Sequence, residues 1–161
     1  MRLLMALLAL APLNAYAACP VGSEVVQTCS LSGGKKVLDV CLLQNSVTYA
    51  FGNSGKTPDL HLSTPVTQAG YIPWNGVGRS IYEEVSFVNQ GVTYLVWYAV
   101  DRMVEAHPVS GGIVVGQGGK ELASLICDKN TVITGFGALY DRMTSLGQCW
   151  NYQTHAWAGC G

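Results

Sequence analysis

A chain of 161 residues with a formal net charge of −1 and only 12% charged residues carries no basic surplus, which excludes nucleic acid as an expected partner. The abundance of glycine, with 19 residues, is typical of a compact extracellular β protein rather than a helical one. Residues 18–161 have the length of one ordinary domain, which is long enough to bury a hydrophobic core.

Residues 1–17 have the pattern of a secretory signal peptide. One early positive charge, Arg2, precedes an apolar run from Leu3 to Leu13, and Ala15-Tyr16-Ala17 matches the small-x-small cleavage rule. The apolar run is about eleven residues long, too short for the roughly twenty that cross a bilayer as a helix. The sequence therefore predicts an exported chain, periplasmic or secreted, with no integral membrane segment and a single domain over residues 18–161.

The cysteine pattern predicts a disulfide-stabilised domain. An even number of cysteines in an exported chain indicates up to three disulfides, and no spacing is CxxC, so neither a zinc site nor redox catalysis is predicted. Because Tyr16-Ala17-Ala18-Cys19 partly resembles a bacterial lipobox, a lipid anchor on Cys19 remains an alternative to soluble export. The six cysteines are Cys19, Cys29, Cys41, Cys127, Cys149 and Cys160.

Turn signals that recur about every ten residues separate short segments rich in Val, Ile, Thr, Tyr and Phe, which is the signature of an all-β fold. We predict an antiparallel barrel or sandwich of about eight strands. The predicted strands cover residues 24–31, 35–43, 47–51, 60–62, 81–88, 92–100, 113–117 and 120–127.

The first hairpin turns at Gly33-Gly34, and a two-residue turn there makes positions that sum to 67 face each other. Cys29 is then opposite Leu38, and Cys41 is opposite Val26. Because side chains alternate between the two faces of a strand, Cys29 and Cys41 lie on opposite faces and should not pair with each other. Each is expected to reach a distant cysteine in the later sheet or in the C-terminal tail.

Residues 92–100 read VTYLVWYAV and are apolar on both faces, which predicts a central strand. Trp97 is expected to pack in the core, whereas Tyr94 and Tyr98 are candidates for the solvent face.

The C-terminal part predicts one short helix over residues 138–146. Leu139, Met143 and Leu146 are spaced for one helix face, Gly147 is a stop signal, and Asp141 and Arg142 should stay outside. The tail, residues 149–161, has no periodicity and is interpreted as a loop tied down by disulfides.

The segment PWNGVGRSIYEEVSF, residues 73–87, contains the first candidate site. Its glycines do not form a phosphate loop, because a strand and not a helix follows them. Glu83 and Glu84 are adjacent on a strand and point to opposite faces, so they cannot act together as acid and base. Trp74 and Arg79 on the glycine-bent loop are the residue types enriched at interface hot spots, although Trp74 has the alternative of capping the core.

The second candidate is the segment from His107 to Gly112, interpreted as a flexible loop between strands that meets a partner through His107 to Ser110. The three histidines have no metal-binding spacing and no serine lies in a GxSxG elbow, so we predict no metal, no cofactor and no catalytic residue. Asp101-Arg102 ends the central strand and is interpreted either as an ion pair capping the sheet or as the border of the interface.

The layout of strands such as VTYAF and EEVSFVNQGVTYLVW, followed by GGIVVGQGGKELASLIC, resembles the periplasmic inhibitors of C-type lysozyme over residues 37–127. The resemblance implies a small antiparallel β-barrel whose loop enters the lysozyme cleft. The Ser-Gly-x-x-Tyr segment by which that family meets lysozyme is replaced here by Gln68-Ala69-Gly70-Tyr71, so no site residue is transferred.

Together these patterns favour an exported, non-catalytic binding protein, an inhibitor or immunity-type protein that blocks a cell-wall hydrolase by loop insertion. Trp74, Arg79, His107 and Ser110 are the expected contacts with the protein partner. Two alternatives remain. One is a small secreted enzyme acting on cell-wall or carbohydrate material with Asp101, Glu105 and His107, and the other is a carbohydrate- or envelope-binding module with exposed aromatic rings.

Overall fold

The structure is a computed structural model that describes residues 19–161, so the predicted signal peptide, residues 1–17, lies outside the described residues. All eight predicted strands are present, and three short ones follow them. The strands are β1 (Glu24–Leu31), β2 (Lys36–Leu43), β3 (Ser46–Asn53), β4 (Leu60–Pro65), β5 (Ser80–Asn89), β6 (Val92–Asp101), β7 (Val109–Gln117), β8 (Lys120–Ile126), β9 (Ile133–Thr134), β10 (Gln148–Asn151) and β11 (Ala156–Gly159). A 3₁₀ helix covers Val66–Gln68, and the helix α1 covers Gly137–Ser145.

Two antiparallel sheets enclose the core. One has the strand order β4-β3-β2-β1-β9 and the other β5-β6-β7-β8, while β10 and β11 form a separate hairpin. Tyr49 of the first sheet contacts the second, with its ring centroid 5.5 Å from that of Phe87 and 5.6 Å from that of Tyr94. The predicted all-β sandwich with one short C-terminal helix is confirmed.

Short backbone pairings join the two sheets at both sides. Gly70 and Ser86 exchange two backbone hydrogen bonds, and Ile72 and Glu84 exchange two more, so residues 70–72 lie along the outer edge of β5. On the other side, Leu31 and Cys127 form an antiparallel bridge. The pairing of residues 70–72 with β5 fixes the point where the loop that begins at Pro73 leaves the sheet.

The register of the first hairpin is confirmed near its turn and shifts farther along. Cys29 is opposite Leu38 as predicted, but Cys41 is opposite Val25 and not Val26. The cause is an irregularity between Val25 and Gln27, which places one extra residue on β1 and moves the pairing by one position.

All six cysteines are in disulfides, and Cys29 and Cys41 are not paired with each other, as predicted. Cys29 bonds to Cys127 at the end of the four-stranded sheet, which confirms the predicted link to the later sheet. The prediction was wrong for Cys41, which bonds to the nearby Cys19. Cys41 points away from the core, and the N-terminal segment, rather than a distant one, covers that face.

The strand β6 is central in its sheet as predicted, but its faces are the reverse of the expectation. Val96 and Tyr98 are buried, and Tyr94 is partly buried against the core. Alternation then places Trp97 on the outer face, where its strand partner is Gly112. A Cβ atom at Gly112 would come within 3.2 Å of the Trp97 indole, so the indole lies against a strand position that has no side chain.

The helix α1 buries Leu139 and Met143 as predicted, while Leu146 lies just beyond its last residue and is 37% exposed. Asp141 is exposed, as predicted, and Arg142 is half-buried at the surface. Its Nη1 donates to Oδ1 of Asn45 at 3.2 Å, and its Nη2 lies 3.7 Å from Oε1 of Glu24, so it connects the helix to the five-stranded sheet. Within residues 19–161, no helix is long and apolar enough to cross a membrane.

Candidate binding site

Two loops meet at one end of the four-stranded sheet. Residues 73–79 lead into β5, and residues 102–108 connect β6 to β7. Because Ser80 is paired with Asp101, the adjacent strands deliver both loops to the same end of the sheet. We call residues 73–79 and 102–108 the loop pair. Three of the predicted partner-binding residues lie on it, namely Trp74, Arg79 and His107.

An ion pair at the base of the loop pair joins Arg79 to Asp101. The Nε atom of Arg79 donates to both carboxylate oxygens at 3.1 and 3.0 Å, and Nη2 donates to Oδ2 at 2.7 Å. Hydrogen bonds from Arg79 and from the backbone N–H of Met103 hold the pKa of Asp101 below its usual range. The Arg79 side chain is still 66% exposed. The carboxylate of Asp101 thus pairs with Arg79, not with the neighbouring Arg102 as the sequence suggested.

Arg102 holds Trp74 in place. Its guanidinium carbon lies 4.9 Å from the centroid of the Trp74 ring, a cation–π contact, and its Nη1 donates to the carbonyl of Gly78 at 3.4 Å. Trp74 also donates from Nε1 to the carbonyl of Val77 at 3.1 Å. Trp74 is half-buried and does not belong to the hydrophobic core, so it is a loop residue with a fixed ring rather than a cap on the core.

His107 and Ser110 are separated by the start of a strand. His107 ends a turn, with its backbone N–H donating to the carbonyl of Val104 at 2.8 Å, and its Nδ1 lies 3.3 Å from the main-chain oxygen of Asp101. Ser110 belongs to β7, where its Oγ donates to the carbonyl of Ala99 at 3.5 Å. The predicted flexible loop from His107 to Gly112 was therefore wrong, because strand pairing with β6 begins at Val109.

The two glutamates of β5 point to opposite faces, as predicted. Glu83 is half-buried, and its Oε2 accepts a hydrogen bond from the hydroxyl of Tyr71 at 2.9 Å. Burial raises the pKa of Glu83, and hydrogen bonds from Tyr71, from the backbone of Trp74 and from Tyr98 offset part of that rise. Glu84 lies on the outer face and accepts from the Tyr82 hydroxyl at 2.7 Å. Glu83 therefore ties the first residues of the loop pair to the sheet.

A cleft lies beside the loop pair, and we call it the aromatic cleft. Its volume is about 260 Å³, and it is bounded by residues 72–77, by the start of β5 and by the C-terminal hairpin. Its aromatic lining comes from three separate elements. The lining residues are Ile72, Pro73, Trp74, Asn75, Val77, Ser80, Tyr82, Trp150 and His155.

The far wall of the cleft is the hairpin β10–β11, where the sequence predicted a loop. Trp150 and Trp157 are opposite each other in the hairpin, and the disulfide between Cys149 and Cys160 closes its open end. Trp157 attaches the hairpin to the body, since it stacks on Tyr71 at 5.7 Å and donates from Nε1 to the Tyr71 carbonyl at 2.9 Å. The prediction that disulfides tie the tail down was wrong, because the disulfide of the tail joins two of its own residues and Trp157 makes the attachment to the body.

Sequence reasoning missed Tyr82, Trp150 and His155 as members of a site. Their rings come from positions as much as seventy-three residues apart (155 − 82), and only the fold brings them together. The signal that was present is the density of aromatic residues between Cys149 and Cys160.

No group of three or more His, Cys, Asp or Glu side chains that could hold a metal occurs in residues 19–161. Of the three residues of the enzyme alternative, Asp101 has its carboxylate bonded to Arg79, and His107 places its Nδ1 3.3 Å from the main-chain oxygen of Asp101. No protein-family model, curated protein or solved structure matches this chain.

Proposed function

We propose that this chain is an exported, non-catalytic binding protein that blocks the cleft of a cell-wall hydrolase with its loop pair. The observation that carries the proposal is the fixing of the loop pair by two contacts, Arg79 with Asp101 at the end of β6 and Arg102 with Trp74 between the two loops. Loops that are fixed before binding lose little conformational entropy on association, which favours affinity. The layout resemblance to lysozyme inhibitors supports the same class of partner.

The surface chemistry of the loop pair fits a protein interface. Met103 is 74% exposed, and Val77 and Val104 are also exposed, so the loops carry an apolar tip. Arg79 and Trp74 lie beside that tip and are residue types that dominate binding energy at interfaces. The exposed side of Arg79 is the part that would face the acidic residues of a hydrolase cleft.

Three disulfides support export, because disulfides persist in oxidising compartments. The bond between Cys19 and Cys41 favours soluble export over a lipid anchor, since a thioether on Cys19 would need the same sulfur atom. We therefore propose export to the periplasm or out of the cell, without a lipid anchor.

The test compares two substitutions of equally exposed apolar residues. Met103→Asp changes the tip of the loop pair, and Val88→Asp changes a residue that is 71% exposed at the opposite end of β5. We expect the wild-type chain to inhibit at least one enzyme in a panel of lysozyme-type hydrolases. Met103→Asp should weaken that inhibition by about 30-fold or more, which corresponds to a hot spot of about 2 kcal/mol, whereas Val88→Asp should not.

Equal effects of the two substitutions would show that the loop pair is not the contact surface. If the folded wild-type chain inhibits no hydrolase in the panel, the proposal fails. If the chain alone degrades cell-wall material, the enzyme alternative replaces it.

A further inference from the structure

The aromatic cleft is a second candidate site, which shares Pro73, Trp74, Asn75 and Val77 with the loop pair. Trp150 and His155 of the C-terminal hairpin form one wall, with ring centroids 6.5 Å apart and ring planes only 10° from parallel. Tyr82 of β5 and Trp74 of the loop pair complete the aromatic lining. We infer that this cleft binds a neutral sugar ring of an oligosaccharide.

The charge of the lining selects a neutral ligand. No Asp, Glu, Lys or Arg side chain is among the nine lining residues, and the charged groups that contact the lining are already engaged, Arg102 on the Trp74 ring and Glu84 with the Tyr82 hydroxyl. Charge complementarity therefore favours an uncharged ligand over an acidic or basic one.

The arrangement of aromatic and polar groups selects a ligand with apolar faces and a polar perimeter. Aromatic faces carry a partial negative charge, which attracts the electropositive C–H groups on the faces of a pyranose ring. Asn75 accepts the Val77 backbone N–H at 3.1 Å through its Oδ1, which leaves its amide group to donate to a hydroxyl. Ser80 and His155 add hydroxyl and imidazole groups that match the hydroxyls around such a ring.

The size of the cleft limits the ligand. Its volume of about 260 Å³ lies just below the roughly 300–1,000 Å³ of typical ligand pockets, so it accommodates one or two rings of a chain. The aromatic surface continues outside the cleft, because Tyr82 stacks on Trp97 with centroids 6.1 Å apart on the outer face of the sheet. Further rings of the same oligosaccharide would extend over Trp97.

The walls are fixed without a ligand. Trp150 packs against Trp157 at 5.5 Å, within a hairpin closed by a disulfide and attached to Tyr71. Trp74 is held by Arg102 and by its hydrogen bond to Val77. An aromatic cleft preformed in this way binds a rigid ring with little loss of protein entropy.

The test is a titration of the disulfide-bonded chain, followed by tryptophan fluorescence and calorimetry. The probes are three neutral trisaccharides, those of N-acetylglucosamine, β-1,4-linked glucose and α-1,4-linked glucose, at up to about 10 mM. A proline-rich peptide is the competing probe, because such peptides also dock in aromatic grooves. We expect at least one trisaccharide to bind more tightly than the peptide.

Three variants locate the site. Trp150→Ala and His155→Asn each remove a ring of the cleft wall and should weaken trisaccharide binding ten-fold or more, about the effect of losing one good contact. Asparagine suits position 155 because the backbone there is left-handed, with φ of 52°, so this variant keeps the fold even if Trp150→Ala does not. Tyr152→Ala removes an exposed ring that does not line the cleft and only meets Trp150 edge-on, with centroids 6.5 Å apart, so it should have a much smaller effect than His155→Asn.

Binding of no trisaccharide by the folded chain, tighter binding of the peptide, or equal losses in the Tyr152 and His155 variants would overturn the inference. Trp74 and Val77 belong to both surfaces, but Met103 does not line the cleft and His155 is not in the loop pair, so substitutions at Met103 and His155 test the two sites separately. Met103→Asp should leave trisaccharide binding unchanged, and His155→Asn should leave hydrolase inhibition unchanged.

Discussion

At the scale of single residues, Glu83 gives the stability of the protein a specific pH dependence. Burial raises the pKa of its carboxyl above the ordinary value of 4.5, so the native state holds the proton to a higher pH than the unfolded state. The unfolding free energy contributed by Glu83 should therefore fall as the pH rises from about 4.5 through the raised pKa. We expect Glu83→Gln to flatten that fall, as measured by urea unfolding at a series of pH values.

Tyr71→Phe is the control of opposite sign. The Tyr71 hydroxyl donates to the Glu83 carboxylate and lowers its pKa, so its removal should raise that pKa further and make the fall steeper. Asp39 also has a pKa raised by burial and acts in the same direction. The Asp39→Asn variant therefore separates its share from that of Glu83. Identical pH profiles for wild type and Glu83→Gln would contradict the prediction.

At the scale of elements, the contact between β6 and β7 depends on a strand position without a side chain. A Cβ atom at Gly112 would clash with the carbonyl oxygen of Leu125 and approach the Trp97 indole to 3.2 Å. We expect Gly112→Ala to destabilise the protein by about 1–3 kcal/mol, the usual cost of overpacking. Denaturant unfolding measures this loss of stability. The substitution should also shift the fluorescence of Trp97.

Gly137→Ala is the matched glycine substitution. Gly137 begins α1, and a Cβ atom added there would have no other atom within 4 Å. Since alanine also favours the helix, this change should stabilise the protein by about 0.5–1 kcal/mol. Similar effects of the two substitutions would show that the close approach at Gly112 is not what sets the stability of this strand pair.

These elements also show what could be predicted from the sequence. The strands on either side of Gly33-Gly34 were predicted because a glycine pair marks a tight turn between alternating segments. The position of Trp97 on the outer face of its sheet was not predicted, because hydrophobicity alone does not assign a residue to a face when both faces of a strand are apolar. The hairpin β10–β11 was missed because its strands are short and its main contacts, Trp157 with Tyr71, are with a residue far away in sequence.

At the scale of the whole molecule, one candidate site could be partly predicted from the sequence and the other could not. The loop pair was partly predictable, since Trp74, Arg79 and His107 lie in segments rich in turn residues. Its ion pair, by contrast, joins Arg79 to a residue on the next strand, and only the strand register brings the two together. The aromatic cleft requires the packing of the tail on β5, which no local pattern encodes.

The three disulfides allow a prediction for the complete fold, because they close loops of very different length. The sequence separations are 98 for Cys29–Cys127, 22 for Cys19–Cys41 and 11 for Cys149–Cys160. If restriction of the unfolded chain dominates, the stabilisation should be about 4.7, 3.4 and 2.8 kcal/mol in that order. The measurement is denaturant unfolding of the three paired Cys→Ala variants.

The measured ranking distinguishes restriction of the unfolded chain from local native contacts as the source of the stabilisation. Of the three disulfides, only Cys29–Cys127 connects the five-stranded sheet to the end of the four-stranded sheet. Its removal should cost most and should also raise the dependence of unfolding on denaturant, since the unfolded chain then exposes more surface. Removal of Cys149–Cys160 should loosen the cleft wall while leaving the sandwich intact. Equal losses from all three variants would show that local native contacts, and not the length of the closed loops, determine how the disulfides stabilise this fold.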